Sequence, residues 1–114
     1  EYDFLARVTD ERARVQNILR LVLYDPCTSG LDIAQSHTDK NFITLHIAES
    51  RPGLYCGEEK KPYVSPDNTA LIFPSDRAAV LTEGALPALS HVAREDHDAT
   101  DEPRWAVIFF LYEI

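Results

Sequence analysis

The feature that most restricts the fold is the last apolar run, Trp105-Ala106-Val107-Ile108-Phe109-Phe110-Leu111-Tyr112, entered through Arg104. It holds no charge and no turn former, is rich in aromatic and β-branched side chains, and is far too short to cross a bilayer. Such a run reads as a central strand. The rest of the chain is cut into similar short pieces by Gly, Pro and Asp. Residues 1–16 carry a partial apolar stripe at helical period (Phe4, Leu5, Val8, Val15) and read as a surface helix. Asn17 to Arg20 lead into a strand at 21–24, closed by Asp25-Pro26, and residues 27–31 form a turn. Residues 42–48 are a second apolar segment. A hairpin follows, with Leu54-Tyr55-Cys56 going out, a tip at 57–61, and Pro62-Tyr63-Val64 returning. Thr69 to Phe73 reads as a buried strand broken by Pro74, residues 78–81 run to a turn at Thr82-Glu83-Gly84, and 89–92 are a short apolar segment. Many short strands joined by tight turns point to a sandwich or barrel.

Composition narrows the class. A chain of 114 residues that is 45% hydrophobic suits a single domain with one core, and no repeat, low-complexity tract or linker divides it. The net charge of −8, with no basic run longer than Lys60-Lys61, argues against nucleic acid or an anionic membrane as partner. The apolar runs are too short to span a membrane and no leader precedes Glu1, so the reading is a soluble, cytoplasmic protein. Cys27 and Cys56 fit no CxxC motif and read as free thiols, with one disulfide open if the protein is exported. The chain begins at Glu1 and has no Met, which reads as a processed or excised piece of a longer protein.

The residues with chemistry begin at Ser36-His37-Thr38-Asp39. On an extended backbone, positions two apart face the same side, so His37 and Asp39 project into one space. An imidazole beside a carboxylate can hold a divalent metal, and a second imidazole would complete the facial two-histidine, one-carboxylate set that leaves coordination positions open. Three histidines could supply it. His46 lies nine residues past His37, an odd spacing that turns it away on a continuous strand, whereas a bend would free its direction. His97, within Glu95-Asp96-His97-Asp98, reads as a solvated loop histidine. His91 sits among apolar neighbours, where it is either a satisfied core residue or returned by the fold to face His37 and Asp39. Arg104 enters an apolar strand and requires an anionic partner, since an unpaired buried charge is costly. That partner is either one of the 19 acidic residues or the carboxylate of a bound dicarboxylate, which a guanidinium grips as a fork.

Leu19 to Cys27, His37-Thr38-Asp39 with Phe42 to Leu45, Gly53-Leu54, Ala70 to Phe73 with Asp76, Thr82-Glu83-Gly84, His91-Val92, and Arg104 five residues before Phe109-Phe110-Leu111 follow one another in an order that resembles the Fe(II)/2-oxoglutarate-dependent oxygenases of the isopenicillin N synthase-like superfamily. The resemblance runs over residues 17–112. It implies a mainly β double-stranded β-helix, or jelly roll, for residues 17–114, preceded by the helix of residues 1–16. It also implies His37, Asp39 and His91 as iron ligands, and Arg104 and Tyr24 beside the 2-oxoglutarate. Phe42, Thr44 and Tyr55 are substrate-pocket candidates from their nearness to the motif. The cofactors implied are Fe(II), 2-oxoglutarate as cosubstrate and O₂, and the reaction is oxidation of a small organic molecule, by default hydroxylation, with release of succinate and CO₂. Two departures stand out. The family's Arg-x-Ser reads Arg104-Trp105-Ala106 here, which predicts weaker or altered cosubstrate binding, one hydrogen bond being worth roughly 0.5–1.5 kcal/mol. Ser75 stands where a glycine is common. Relatives carry additional N-terminal structure that helps close the pocket, so the chain is either a compact relative or the core alone. A non-catalytic jelly-roll binding domain and a cupin-like metalloenzyme without 2-oxoglutarate remain open, as do substrate and oligomeric state.

Overall fold

A computed structural model of the chain describes residues 3–24, 35–94 and 102–114. Two short helices come first, α1 (Phe4–Thr9) and α2 (Glu11–Arg14). Strand β1 (Ile18–Tyr24) follows, then β2 (Ile43–Glu49), β3 (Leu54–Cys56), β4 (Lys61–Tyr63) and β5 (Leu71–Pro74). Helix α3 (Asp76–Leu81), β6 (His91–Ala93) and β7 (Arg104–Leu111) complete the elements of the described residues. Among the described residues all strand pairs are antiparallel. The larger sheet has the order β1-β7-β2-β5 and the smaller one β4-β3-β6, with a cavity enclosed between them. This is the mainly β jelly-roll architecture that the resemblance implies. Among the described residues no helix is long and apolar enough to cross a membrane.

The final apolar run lies where its composition places it, as β7, paired on both sides by β1 and β2. Alternation along β7 sends Arg104, Ala106, Ile108 and Phe110 toward the cavity. Their partners on β1 are Tyr24, Val22, Arg20 and Ile18, of which the first three also line it. The hairpin forms as expected, with Gly57 at a positive φ of 80° in its tip and Pro62 on an edge strand, where its missing N–H breaks no ladder.

Two expectations are corrected. The single helix over 1–16 is two, because Asp10 leaves helical geometry (φ −57°, ψ 136°) and its side chain caps the second by accepting from the Arg12 amide. The strand at 69–73 is β5, an edge of the larger sheet with Ile72 exposed and only Phe73 buried. Residues 78–81 belong to helix α3. The turns at Asp25-Pro26 and 27–31, Cys27 and His97 lie outside the described residues.

Candidate metal and cosubstrate site

His37 and His91 are brought together by the backbone. They form an isolated antiparallel bridge in which the His37 amide donates to the His91 carbonyl (3.0 Å) and the His91 amide to the His37 carbonyl (2.9 Å). Directly opposed residues share a face, so the imidazoles lie side by side with centroids 4.6 Å apart. His37 belongs to no longer strand, yet the extended backbone around it still places Asp39 beside it. Nε2 of His37 is 3.5 Å and Nε2 of His91 3.3 Å from Asp39 Oδ1.

The protonation pattern suits a cation. His37 Nδ1 lies 2.8 Å from the Gln35 carbonyl and His91 Nδ1 3.0 Å from the Leu89 carbonyl. A carbonyl only accepts, so each Nδ1 carries a proton and each Nε2 is the ring nitrogen turned toward Asp39, able to offer a lone pair to a metal once it holds no proton of its own. One donor atom each from His37, Asp39 and His91 lies within 4.8 Å of the others, a donor set of two imidazoles and a carboxylate that fits a divalent first-row metal. Asp39 is held from two directions. The Thr44 hydroxyl donates to its Oδ2 at 2.7 Å, and its carbonyl accepts from the Asp76 amide at the start of α3 (2.9 Å). The Ser75 and Arg77 amides likewise donate to the carbonyls of Phe42 and Asn41, so the first turn of α3 pins the bend between Asp39 and β2. Burial pushes the Asp39 carboxyl up, but hydrogen bonds from His91 and Thr44 and the field of the imidazoles outweigh it, and its pKa is lowered. Burial pushes His91 down, whereas its bonds to Asp39 and to the Leu89 carbonyl prevail and raise it.

The far end of the same cavity, about 280 Å³ in volume, holds Arg104 and Tyr24. The guanidinium lies 5.1 Å over the Tyr24 ring, and Nε donates to the Arg51 carbonyl at 2.9 Å. Gly53 makes this passage possible, since a Cβ there would come within 2.5 Å of Arg104 Nε. An internal carboxylate meets the arginine as well, with Arg104 Nη2 donating to Glu49 Oε2 at 2.8 Å.

Of the sequence candidates, His37, Asp39, His91, Arg104, Tyr24 and Thr44 meet at this cavity. Phe42 and Tyr55 are not among its lining residues: Phe42 is buried against Phe4 (centroids 5.5 Å), and Tyr55 carries the Arg94 guanidinium over its ring. Two residues escaped sequence reading. His46 points inward and lines the cavity, because the bend at 40–42 resets the alternation counted from His37. Glu49 reaches Arg104 because the register of β2 on β7 slips between His46 and Ala48, a bulge that turns residue 49 to the inner face. The odd histidine spacing was the available signal for the first; nothing in the sequence marks the second.

No curated protein matches the chain. Among solved structures it is similar to a full-length protein from Neurospora crassa in complex with alpha-KG, at 26% identity and a TM-score of 0.73, covering 86% of this chain and 34% of that one. A second structure of the same Neurospora crassa protein, with alpha-KG and thymine, gives 27% identity and a TM-score of 0.72, over 85% and 33%. The dioxygenase for auxin oxidation 1 from Arabidopsis thaliana, in a binary complex with 2-oxoglutarate, gives 25% and 0.70, over 84% and 37%. The chain thus spans about a third of the length of these structures. The model of the 2OG-Fe(II) oxygenase superfamily matches residues 11–113, nearly the whole sequence and every residue of the cavity just described, and the chain belongs to that superfamily.

Proposed function

We propose that this chain forms the metal and cosubstrate core of an Fe(II)- and 2-oxoglutarate-dependent dioxygenase that hydroxylates a small organic molecule. The observation that carries the reading is one cavity with His37, Asp39 and His91 converging at one end and Arg104 at the other. In this reading the three residues hold Fe(II), and Arg104 with Tyr24 receives the far carboxylate of the cosubstrate. Bound there, Fe(II) and 2-oxoglutarate supply the oxidation with O₂, releasing succinate and CO₂. The chain's own part is to bind, orient and exclude water. The Gln35 and Leu89 carbonyls fix the imidazole tautomers, Thr44 fixes Asp39, and Leu54, Phe73, Ile108 and Phe110 give the cavity apolar walls. Thymine in one Neurospora crassa structure and the auxin named for the Arabidopsis protein are small ring compounds, so a substrate screen begins with pyrimidine bases and indole acids.

The test is anaerobic titration of the protein with Fe(II) and 2-oxoglutarate, followed by the visible metal-to-ligand charge-transfer band, and then by succinate release across the screen. A saturable band in the parent that is lost in His37→Ala is expected. The His37 side chain is half exposed, so its removal leaves the fold intact. A parent protein that forms no band, or a His37→Ala protein with an undiminished one, overturns the assignment. A band without succinate for any substrate favours a binding domain that has lost catalysis.

A further inference from the structure

Arg104 is already occupied. Its partner Glu49 is also bonded to His46, with Nε2 of His46 3.0 Å from the same Oε2 that accepts from Arg104. The three side chains are 2% (Arg104), 6% (Glu49) and 4% (His46) exposed, so the contact is not a solvated surface pair. It is built by two features of the larger sheet. The bulge after His46 aims Glu49 inward, and the residue opposite Glu49 on β7 is Ala106, whose methyl leaves room for the longer side chain. Burial pushes the Glu49 carboxyl up, but hydrogen bonds from His46 and Arg104 overcome this and keep it below the usual glutamate value, so it is an anion at neutral pH.

We propose that Glu49 is an internal rival of the cosubstrate's far carboxylate for Arg104, and so sets how tightly the site takes a dicarboxylate. The proposal rests on the oxygenase reading above. A guanidinium facing one buried carboxylate is neutralised, and a second carboxylate brought to it meets that anion at short range in a poorly screened interior. Arg104 does not depend on Glu49 for its place. Its Nε is held by the Arg51 carbonyl, its plane by the Tyr24 ring, and its stem by the close passage over Gly53. Removing the charge of Glu49 therefore leaves the fork in position and frees its affinity for an incoming anion. Glu49→Gln keeps the volume, and its amide oxygen still accepts from Arg104.

The experiment compares the parent protein with Glu49→Gln, each loaded with Fe(II) without oxygen and titrated with 2-oxoglutarate and, separately, with pyruvate. Pyruvate offers the same chelating 2-oxo acid head and no second carboxylate. The expected result is a Kd for 2-oxoglutarate at least tenfold lower in Glu49→Gln, with that for pyruvate unchanged within twofold. An unchanged or raised Kd for 2-oxoglutarate, or equal tightening of both acids, overturns the proposal, since a merely structural role for Glu49 moves both or weakens the first. The parent alone gives a second reading that survives a failure of the variant to fold. A 2-oxoglutarate advantage over pyruvate of tenfold or less supports a neutralised arginine, and a larger one overturns it. If neither protein forms a charge-transfer band with either acid, the oxygenase reading itself fails and this inference with it. Bands of equal affinity in both proteins overturn this inference alone.

Discussion

Single atoms carry much of the site's geometry. Thr44 was a candidate for the substrate pocket, yet its hydroxyl donates to Asp39 Oδ2 and lies 3.0 Å from Ser75 Oγ, so in the proposed site it acts through the carboxylate. Thr44→Val keeps the shape and deletes the donor. Such orienting partners are typically worth about 10- to 100-fold in metal affinity, and a rise of that size in the Kd for Fe(II) is expected by anaerobic titration, with the far-UV circular dichroism unchanged. Gly53 has the corresponding role at the other end. Gly53→Ala places a methyl against the buried Arg104 side chain, which must leave the Arg51 carbonyl to escape it. The grip on a carboxylate depends on that alignment, so the Kd for 2-oxoglutarate should rise, by up to about the tenfold that separates it from pyruvate in the parent, while Fe(II) binding is retained. A 2-oxoglutarate titration of the Fe(II)-loaded variant checks both.

Between elements, Glu113, just past β7, joins the helices to the sheet. Its nearly buried carboxylate accepts from Arg77 Nε of α3 at 2.9 Å and lies 3.5 Å from Arg7 Nη2 of α1. Helices of six residues are too short to persist on propensity alone, and tertiary ties such as this one hold them. Glu113→Ala should cost about 2 kcal/mol, measured as a lowered urea midpoint, because hydrogen bonds to charged groups are worth about 1.5–3 kcal/mol. The first turn of α3 is what pins the Asp39 carbonyl, so loss of Fe(II) affinity is expected alongside the loss of stability. The sheet also explains why β5 reads as buried from its residues. Leu19, Leu21 and Leu23 of β1, Trp105 of β7, Ile47 of β2 and Ile72 of β5 are all exposed, so the larger sheet is apolar on its outer side too, and apolar content alone does not separate the two faces.

For the molecule as a whole, the titrating groups of the cavity set a pH window. Glu49 and Asp39 have lowered pKa values, so the stability they add is fully present above the ordinary carboxyl values of 4.5 and 3.8 and is lost as the pH falls through the lower folded values. His91 has a raised one, so its contribution is fully present below 6.5 and fades as the pH rises through the folded value. Metal-free protein should therefore show its highest urea midpoint between about pH 4.5 and 6.5, falling on both sides. Fe(II) needs the neutral imidazole, so added metal should reverse the alkaline decline and bind more weakly as the solution is acidified. Urea melts across pH with and without Fe(II) check both limbs, and a metal-bound protein that still weakens toward pH 8 contradicts the assignment of His91.

Local events were legible in the residues alone. The uninterrupted apolar run after Arg104 became the central strand, and Gly57 and Pro62 marked the hairpin, because composition and turn chemistry act over a few residues. The pairing of His37 with Asp39 was legible for the same reason, since positions two apart on extended backbone share a side whether or not a sheet forms around them. That His91 pairs with His37 across 54 residues, and that Arg104 reaches the same cavity, became readable only as the order of features in a family resemblance. The packed fold settled the rest. A three-residue bend turned His46 inward, one extra residue in β2 turned Glu49 onto Arg104, and the path of residues 51–53 left room for the guanidinium. Each is a shift of phase or a close passage that leaves no trace in hydrophobic periodicity, because periodicity is counted along the chain and these contacts are set by which strand lies next to which.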